Sequence, residues 1–440
     1  MEDPPVRVPA GAKQTGEARG RWSWAEPSVW TERMLRALEE GVKGGKWYSL
    51  IDKVYAPRTL RAAFERVKAN DGAPGVDHVT VRDFEAHLEE NLARLSRSLR
   101  DGTYRPQAVR RAWVPKPGRK EKRPLGIPTV RDRVAQTALR SVLEPIFERD
   151  FAEHSYGFRP GRGAKDALRE VARLLREGHS WVVDADIRSY FDSIPRERLL
   201  ARVAEKIADG RVLALLGAYL EQEVMEGLAR WTPEAGTPQG AVISPLLSNI
   251  YLDPLDHKMA ERGYAMVRYA DDFVILCRTE AEARRALAEV EAWMEEAGLR
   301  LHPEKTRVVD AREPGGFDFL GYHFERGYRW PRRKSLRKVK EAIRQKTRRT
   351  NGHSLETIIA DVNRTLRGWY EYFKHSHHTT FGPLDAWVRM RLRSILRKRR
   401  GRRGRGRGRD HQRWPNAYFA ARGLFSLAAA HARTSQSSRR

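Results

Sequence analysis

Apolar residues recur at helical spacing through long stretches of the chain and form short continuous or alternating runs mainly in its middle. Residues 1–30 carry no such period and are rich in Pro, Gly and charge, which predicts a loose leader. Helical spacing starts near Trp30, resumes at Pro57, a favourable first helical residue, and runs to Asn70. Asp71-Gly72-Ala73-Pro74-Gly75 breaks it, and a further helix is predicted from about Val81 to Leu99. Val109 to Val114 reads as a strand, a loop rich in Pro, Gly and Lys follows to Arg123, and Val130 to Arg149 is again helical.

From Trp181 the pattern changes. Trp181 to Ile187 is a short apolar strand that delivers Asp184 and Asp186 near its end. Helices are predicted from Pro195 and over Val212–Val224, then a loop at Gly236–Gly240. Ser244-Pro245 predicts a capped helix start, with Ser as N-cap, running to about Arg262. Ala265–Tyr269 and Phe273–Arg278 are β-rich runs around an Asp-Asp turn, a hairpin pattern. Thr279 and Glu282 form a capping box for a helix that stops at Gly298. Strands flank Phe317–Phe324, and beyond Arg326 the pattern is purely helical and very basic. The prediction is an α+β core followed by an all-α unit. Gly401–Arg409 reads as an Arg-Gly hinge, and Asp410 onward as an appendage.

Charge narrows the partners. Lys and Arg number 84 against 57 Asp and Glu, a net +27 in 440 residues, which points to a polyanion and most simply to nucleic acid. A 40% hydrophobic fraction supplies a core for two or three compact units. One cysteine, Cys277, excludes an internal disulfide framework and fits a reducing, cytoplasmic setting. No run approaches the roughly 18 apolar residues of a membrane span, so no membrane partner is expected.

The chemistry resides in two acidic clusters, Asp184 with Asp186 at a strand end and Asp271 with Asp272 at a hairpin tip. Carboxylates converging from such positions suit two Mg²⁺ ions about 4 Å apart, the requirement of phosphoryl transfer. The bland alternative for each cluster is a solvated turn.

Tyr269-Ala270-Asp271-Asp272 resembles the signature of reverse transcriptases, and Asp186-Ile187-Arg188-Ser189-Tyr190-Phe191 resembles their first acidic motif. Gly236-Thr237-Pro238-Gln239-Gly240 with Ser244–Asn249 resembles the template- and nucleotide-contacting segment between them. Ser155-Tyr156-Gly157-Phe158-Arg159-Pro160, the loop from Trp113 to Arg133, and Asn363–Phe373 narrow the resemblance to group II intron proteins. The resemblance implies a right-hand polymerase, with a leader over 1–30, an N-terminal extension and fingers over 31–180 and a palm over 181–325. A helical thumb and maturase region over 326–400 and a hinge and basic tail over 401–440 complete it. It implies Asp186, Asp271 and Asp272, with the Ile187 carbonyl, as ligands of two Mg²⁺ ions, and Lys305 as proton donor to the departing pyrophosphate. Lys116, Arg123, Phe191 and Gln239 become contacts of the deoxynucleoside triphosphate, with Phe191 excluding a 2′-hydroxyl by its bulk. Arg344, Arg348, Arg349, Trp369, Lys398, Arg399 and Arg400 become RNA contacts, although Trp369 suits core packing equally well.

The implied partners are the cognate intron RNA, an RNA template and a DNA primer or target. The implied activity is RNA-directed DNA synthesis together with help in splicing and mobility. Rival readings are a splicing cofactor with a vestigial polymerase and another bacterial reverse transcriptase, of retron or CRISPR-associated type.

Overall fold

The computed structural model describes residues 20–115, 122–233, 235–237, 240–406 and 408–437. The segment expected to be loose is anchored from residue 20: Trp22 and Trp30 are buried, and the Trp30 indole N–H donates to the Ser141 carbonyl at 2.9 Å. Two large rings in an irregular stretch leave no period to detect, which is why the boundary near residue 30 fails. Five helices follow: α1 (Glu32–Glu40), α2 (Ile51–Tyr55), α3 (Pro57–Asn70), α4 (Val81–Ala86) and α5 (Leu88–Arg100). The single helix predicted from Val81 is broken at His87, whose backbone leaves helical geometry. Strands β1 (Val109–Pro115) and β2 (Lys122–Ile127) pair antiparallel and lead into α6 (Val130–Glu148), an almost wholly buried helix, and then α7 (Ala164–Arg176).

The central region comprises β3 (Trp181–Asp186), α8 (Tyr190–Ser193), α9 (Arg196–Ala204), α10 (Gly210–Leu220), β4 (Val224–Glu226), β5 (Ala229–Trp231) and α11 (Ser244–Glu261), then β6 (Ala265–Tyr269), β7 (Asp272–Cys277), α12 (Glu280–Glu296) and β8 (Arg307–Asp310). Among the described residues β6-β7-β3-β8 form one antiparallel sheet, and β2-β1-β4-β5 form a second, in which β1 and β4 run parallel. The N-cap position of α11 falls on Ile243 and not on Ser244, and an isoleucine has no side-chain cap to offer. Instead the buried Gln136 carboxamide oxygen, reaching across from α6, accepts the Val242 N–H at 2.8 Å just ahead of the helix.

Alternation along β3 sorts the core. Val183 and Ala185 pack with Phe273 and Ile275 into the large cluster that includes α11 and α12. Val182, Val274 and Leu276 face α7 and the small sheet of β9 (Phe317–Phe319), β10 (Tyr322–Glu325) and β11 (Tyr328–Pro331). That last strand corrects the expectation of pure helix beyond Arg326; it is four residues long, too short to reveal a period. The helical unit then contains α13 (Arg333–Lys346), α14 (Leu355–Phe373), α15 (Phe381–Arg399), α16 (Arg409–Arg413), α17 (Asn416–Ala420) and α18 (Leu427–Ser437). Residues beyond the Arg-Gly stretch are no appendage: Trp414, Phe419 and Leu427 are buried with Leu366, Val388 and Leu392 in one core. Among the described residues no helix is long and apolar enough to cross a membrane.

Candidate active site

Residues two apart on a strand share a face, so Asp184 and Asp186 project from β3 on the side of Val182. Asp272 lies directly opposite Asp186 in the β3–β7 register. Tyr269 pairs with Asp272, leaving Ala270 and Asp271 as the turn, with Ala270 in the left-handed region at φ 61°. Strand end and hairpin tip thus bring the predicted acids together. The chain returns along this edge at Leu301, which bridges the buried Ile187, and the His302 N–H donates to the Asp186 carbonyl at 2.7 Å. That return delivers the Lys305 ammonium to the Asp186 carboxylate and the Arg307 guanidinium to Asp184 at 3.2 Å.

Gathering carboxylates out of water raises their proton affinity. Burial, and then repulsion from Asp184, Asp271 and Asp186, pushes Asp272 up to about 7. Burial pushes Asp184 up to about 6 although Arg307 opposes it, and burial also raises Asp271. The donors are hard oxygens in mutual repulsion, and two of them already face a cation, Asp186 the Lys305 ammonium and Asp184 the Arg307 guanidinium. That is the chemistry of a divalent-ion site. As they stand, no three His, Cys, Asp or Glu side chains among the described residues close around a single point. The donor set therefore fits such ions in kind, and closure needs substrate phosphates or water as further ligands.

The neighbouring motifs meet one another through backbone. Phe191 is half-buried with its ring 5.5 Å from Tyr190, and its carbonyl accepts the Thr237 N–H at 2.7 Å. A Cβ on Gly236 would stand 2.5 Å from that carbonyl, and one on Gly240 would stand 2.5 Å from the Gly126 carbonyl of β2. The two glycines therefore let one loop lie against both the Phe191 segment and the β1–β2 hairpin. Arg123 is exposed on β2, opposite Val114. Lys116 and Gln239 lie outside the described residues.

In the helical unit Arg344, Arg348, Arg349, Lys398, Arg399 and Arg400 are exposed. Arg344 is shared with Glu341 at 2.9 Å, and Arg400 lies 5.5 Å from the Trp414 ring. Trp369 packs 4.8 Å from Phe373 and borders both the helical core and the cluster beneath the acids, so its neighbours match the packing alternative. Two residues escaped the sequence reading, Arg307 and Arg268, and Gly157 entered it only as part of a family motif, with no role of its own. An arginine inside the apolar run Ala265–Tyr269 was the available signal for Arg268.

Comparison with known proteins matches residues 114–324 to the family described as reverse transcriptase (RNA-dependent DNA polymerase). Residues 336–414 match the group II intron, maturase-specific domain. Protein YkfC of Escherichia coli (strain K12) is 36% identical over 293 residues, covering 58% of this chain and 76% of that protein. The group II intron-encoded protein LtrA of Lactococcus lactis subsp. cremoris is 42% identical over 168 residues, 38% of this chain and 28% of LtrA. A solved partial Cas6-RT-Cas1–Cas2 complex aligns at 25% identity with a TM-score of 0.37, over 56% of this chain and 41% of that one. The maturase-specific match, which follows the polymerase match after a short gap, favours the intron-encoded class over the retron and CRISPR-associated alternatives. The chain belongs to the group II intron-encoded reverse transcriptase/maturase family, the RNA-directed DNA polymerases that carry a maturase domain.

Proposed function

We propose that the chain copies RNA into DNA at the Asp186–Asp271–Asp272 site with two Mg²⁺ ions, and that its helical unit holds the cognate intron RNA and assists splicing and mobility. The observation that carries this reading is the meeting of Asp186 and Asp272 across one sheet register, with Asp271 on the adjoining turn. Asp186, Asp271 and the Ile187 carbonyl would hold the ions, with Asp272 assisting; when bound, they supply activation of the primer hydroxyl and charge neutralisation on the triphosphate.

The remaining roles belong to the protein's own groups. Lys305 stabilises and protonates the departing pyrophosphate, a role supported by its reach to Asp186. Arg123 on the β1–β2 hairpin, with Lys116 and Gln239, binds the deoxynucleoside triphosphate. Phe191 fills the space a 2′-hydroxyl would need. Exposed Arg344, Arg348, Arg349 and Lys398–Arg400 hold RNA phosphates. Asp184, tied to Arg307, is structural. The setting is the bacterial-type cytoplasm.

Primer extension on an RNA template tests the reading. Asp186→Asn and Asp271→Asn each lower extension by on the order of 100-fold or more, while RNA affinity stays within about twofold, because the RNA is held by cations elsewhere. Asp271→Asn still promotes splicing of the intron RNA, where the RNA performs the transesterification. Extension by either variant at a tenth of the wild-type rate would sink the assignment.

A further inference from the structure

Arg268 in β6 is completely buried, a costly position for a guanidinium. Asp256 of α11 neutralises it: Arg268 Nε donates to the two carboxylate oxygens at 2.8 and 3.0 Å, and Nη2 donates to one of them. An ion pair made only for the core would end there. Nη1 instead turns toward the catalytic hairpin, donating to the Asn249 side-chain oxygen at 3.0 Å and to the backbone carbonyl of Ala270 at 2.9 Å. The Asn249 amide in turn donates to the Gly157 carbonyl at 2.9 Å. Gly157 lies flat against the same turn: a Cβ there would come within 2.2 Å of the Ala270 nitrogen and 2.8 Å of the Tyr269 carbonyl carbon.

The turn is therefore held from two sides by one polar chain, Asp256–Arg268–Asn249–Gly157. Ala270 needs that support, since a non-glycine residue at φ 61° stays there only where its surroundings impose it. The carbonyl that Arg268 grips belongs to the peptide joining Ala270 to Asp271. Fixing that peptide plane fixes the direction in which the Asp271 side chain leaves the backbone.

We propose that Arg268 and Asn249 are positioning residues for DNA synthesis, setting the Asp271 carboxylate by clamping the Ala270–Asp271 peptide against Gly157. The inference rests on the polymerase reading above and adds to it two buried residues that act through the turn.

Two variants of the full chain test it. Asn249→Ala removes the bridge to Gly157 and leaves both partners of the Arg268–Asp256 pair in place. Arg268→Lys keeps a cation for Asp256 but has no second nitrogen to reach Ala270. Steady-state extension on an RNA template, assayed well below each variant's Tm, is expected to show kcat lowered about tenfold or more. KM for deoxynucleotides and affinity for RNA stay within about twofold, because the loss is one of geometry at the reacting centre. Amide hydrogen exchange over residues 268–272 quickens in both variants. Unchanged kcat in both variants, or a loss confined to KM or RNA binding, overturns the positioning role and leaves the polymerase reading standing. A wild-type chain without extension activity takes down both.

Discussion

Asp272 faces Asp186 across the sheet, and its carboxyl is pushed up to about 7 by burial and by the charges of Asp184, Asp271 and Asp186. An acid whose affinity for a proton rises on folding favours the fold most when protonated. Its contribution is complete below the ordinary value of 3.8 and is lost as pH climbs through about 7. In chelator, Asp272→Asn is therefore expected to raise Tm at pH 8 by roughly 2–4 °C and to flatten the dependence of Tm on pH between 5 and 8. Calorimetry across that range checks it, and a lower Tm for the variant at pH 8 contradicts the electrostatic account. At this scale the acids were legible because a four-residue motif at a hairpin tip leaves little conformational choice. Their supports were not, because Arg307, Gly157 and Arg268 act through contacts made only after distant segments meet.

Secondary elements were legible in proportion to their length. α3, α6 and α12 carry enough turns for a period to show, and the structure ends them within a residue or two of the predicted limits. The β4–β5 hairpin and β11 are three or four residues per strand; β11 fell inside a segment read as helix, and nearly all of the hairpin fell in a stretch given no element. The tail was misread for a different reason: its Arg-Gly composition signals a hinge, whereas its fate is decided by sparse large side chains. Asp385 of α15 shows how the tail is held, since its buried carboxylate accepts the N–H groups of Leu427 and Ala428 at 3.0 and 3.1 Å and the Ser426 hydroxyl at 2.8 Å. Asp385→Ala removes that cap and is expected to cost about 1–2 kcal/mol. Urea denaturation measures the loss, and limited proteolysis should open first near residue 427; a variant as stable and as resistant as the parent would show that α18 docks without it.

For the molecule as a whole, the net charge of +27 finds its outlet in the helical unit, where exposed Arg344, Arg348 and Arg349 follow one another along the end of α13 and the turn after it. Arg344 already serves Glu341, so its share in binding a polyanion is smaller than that of the other two. Replacing all three by Gln is expected to weaken RNA binding and to reduce the slope of log affinity against log salt by about 2, as each lost phosphate contact removes roughly 0.7–0.9. Filter binding at several salt concentrations checks it, and an unaltered slope would place the RNA on another face. The overall plan of polymerase core followed by helical unit was legible from the change of pattern near residue 326, because period and charge shift together there. How tightly the second unit closes upon itself was not, because closure depends on residues far apart in sequence.

That closure has a consequence for how the protein is made. A chain leaves the ribosome from its N-terminus, and domains generally fold in that order. Here α14 and α15 share their core with Trp414, Phe419 and Leu427, so the apolar faces of the helical unit stay uncovered until synthesis has passed residue 427. The polymerase core can be complete while its RNA-binding partner is still waiting for its closing helix. During that interval the nascent protein displays a basic, apolar, half-built surface.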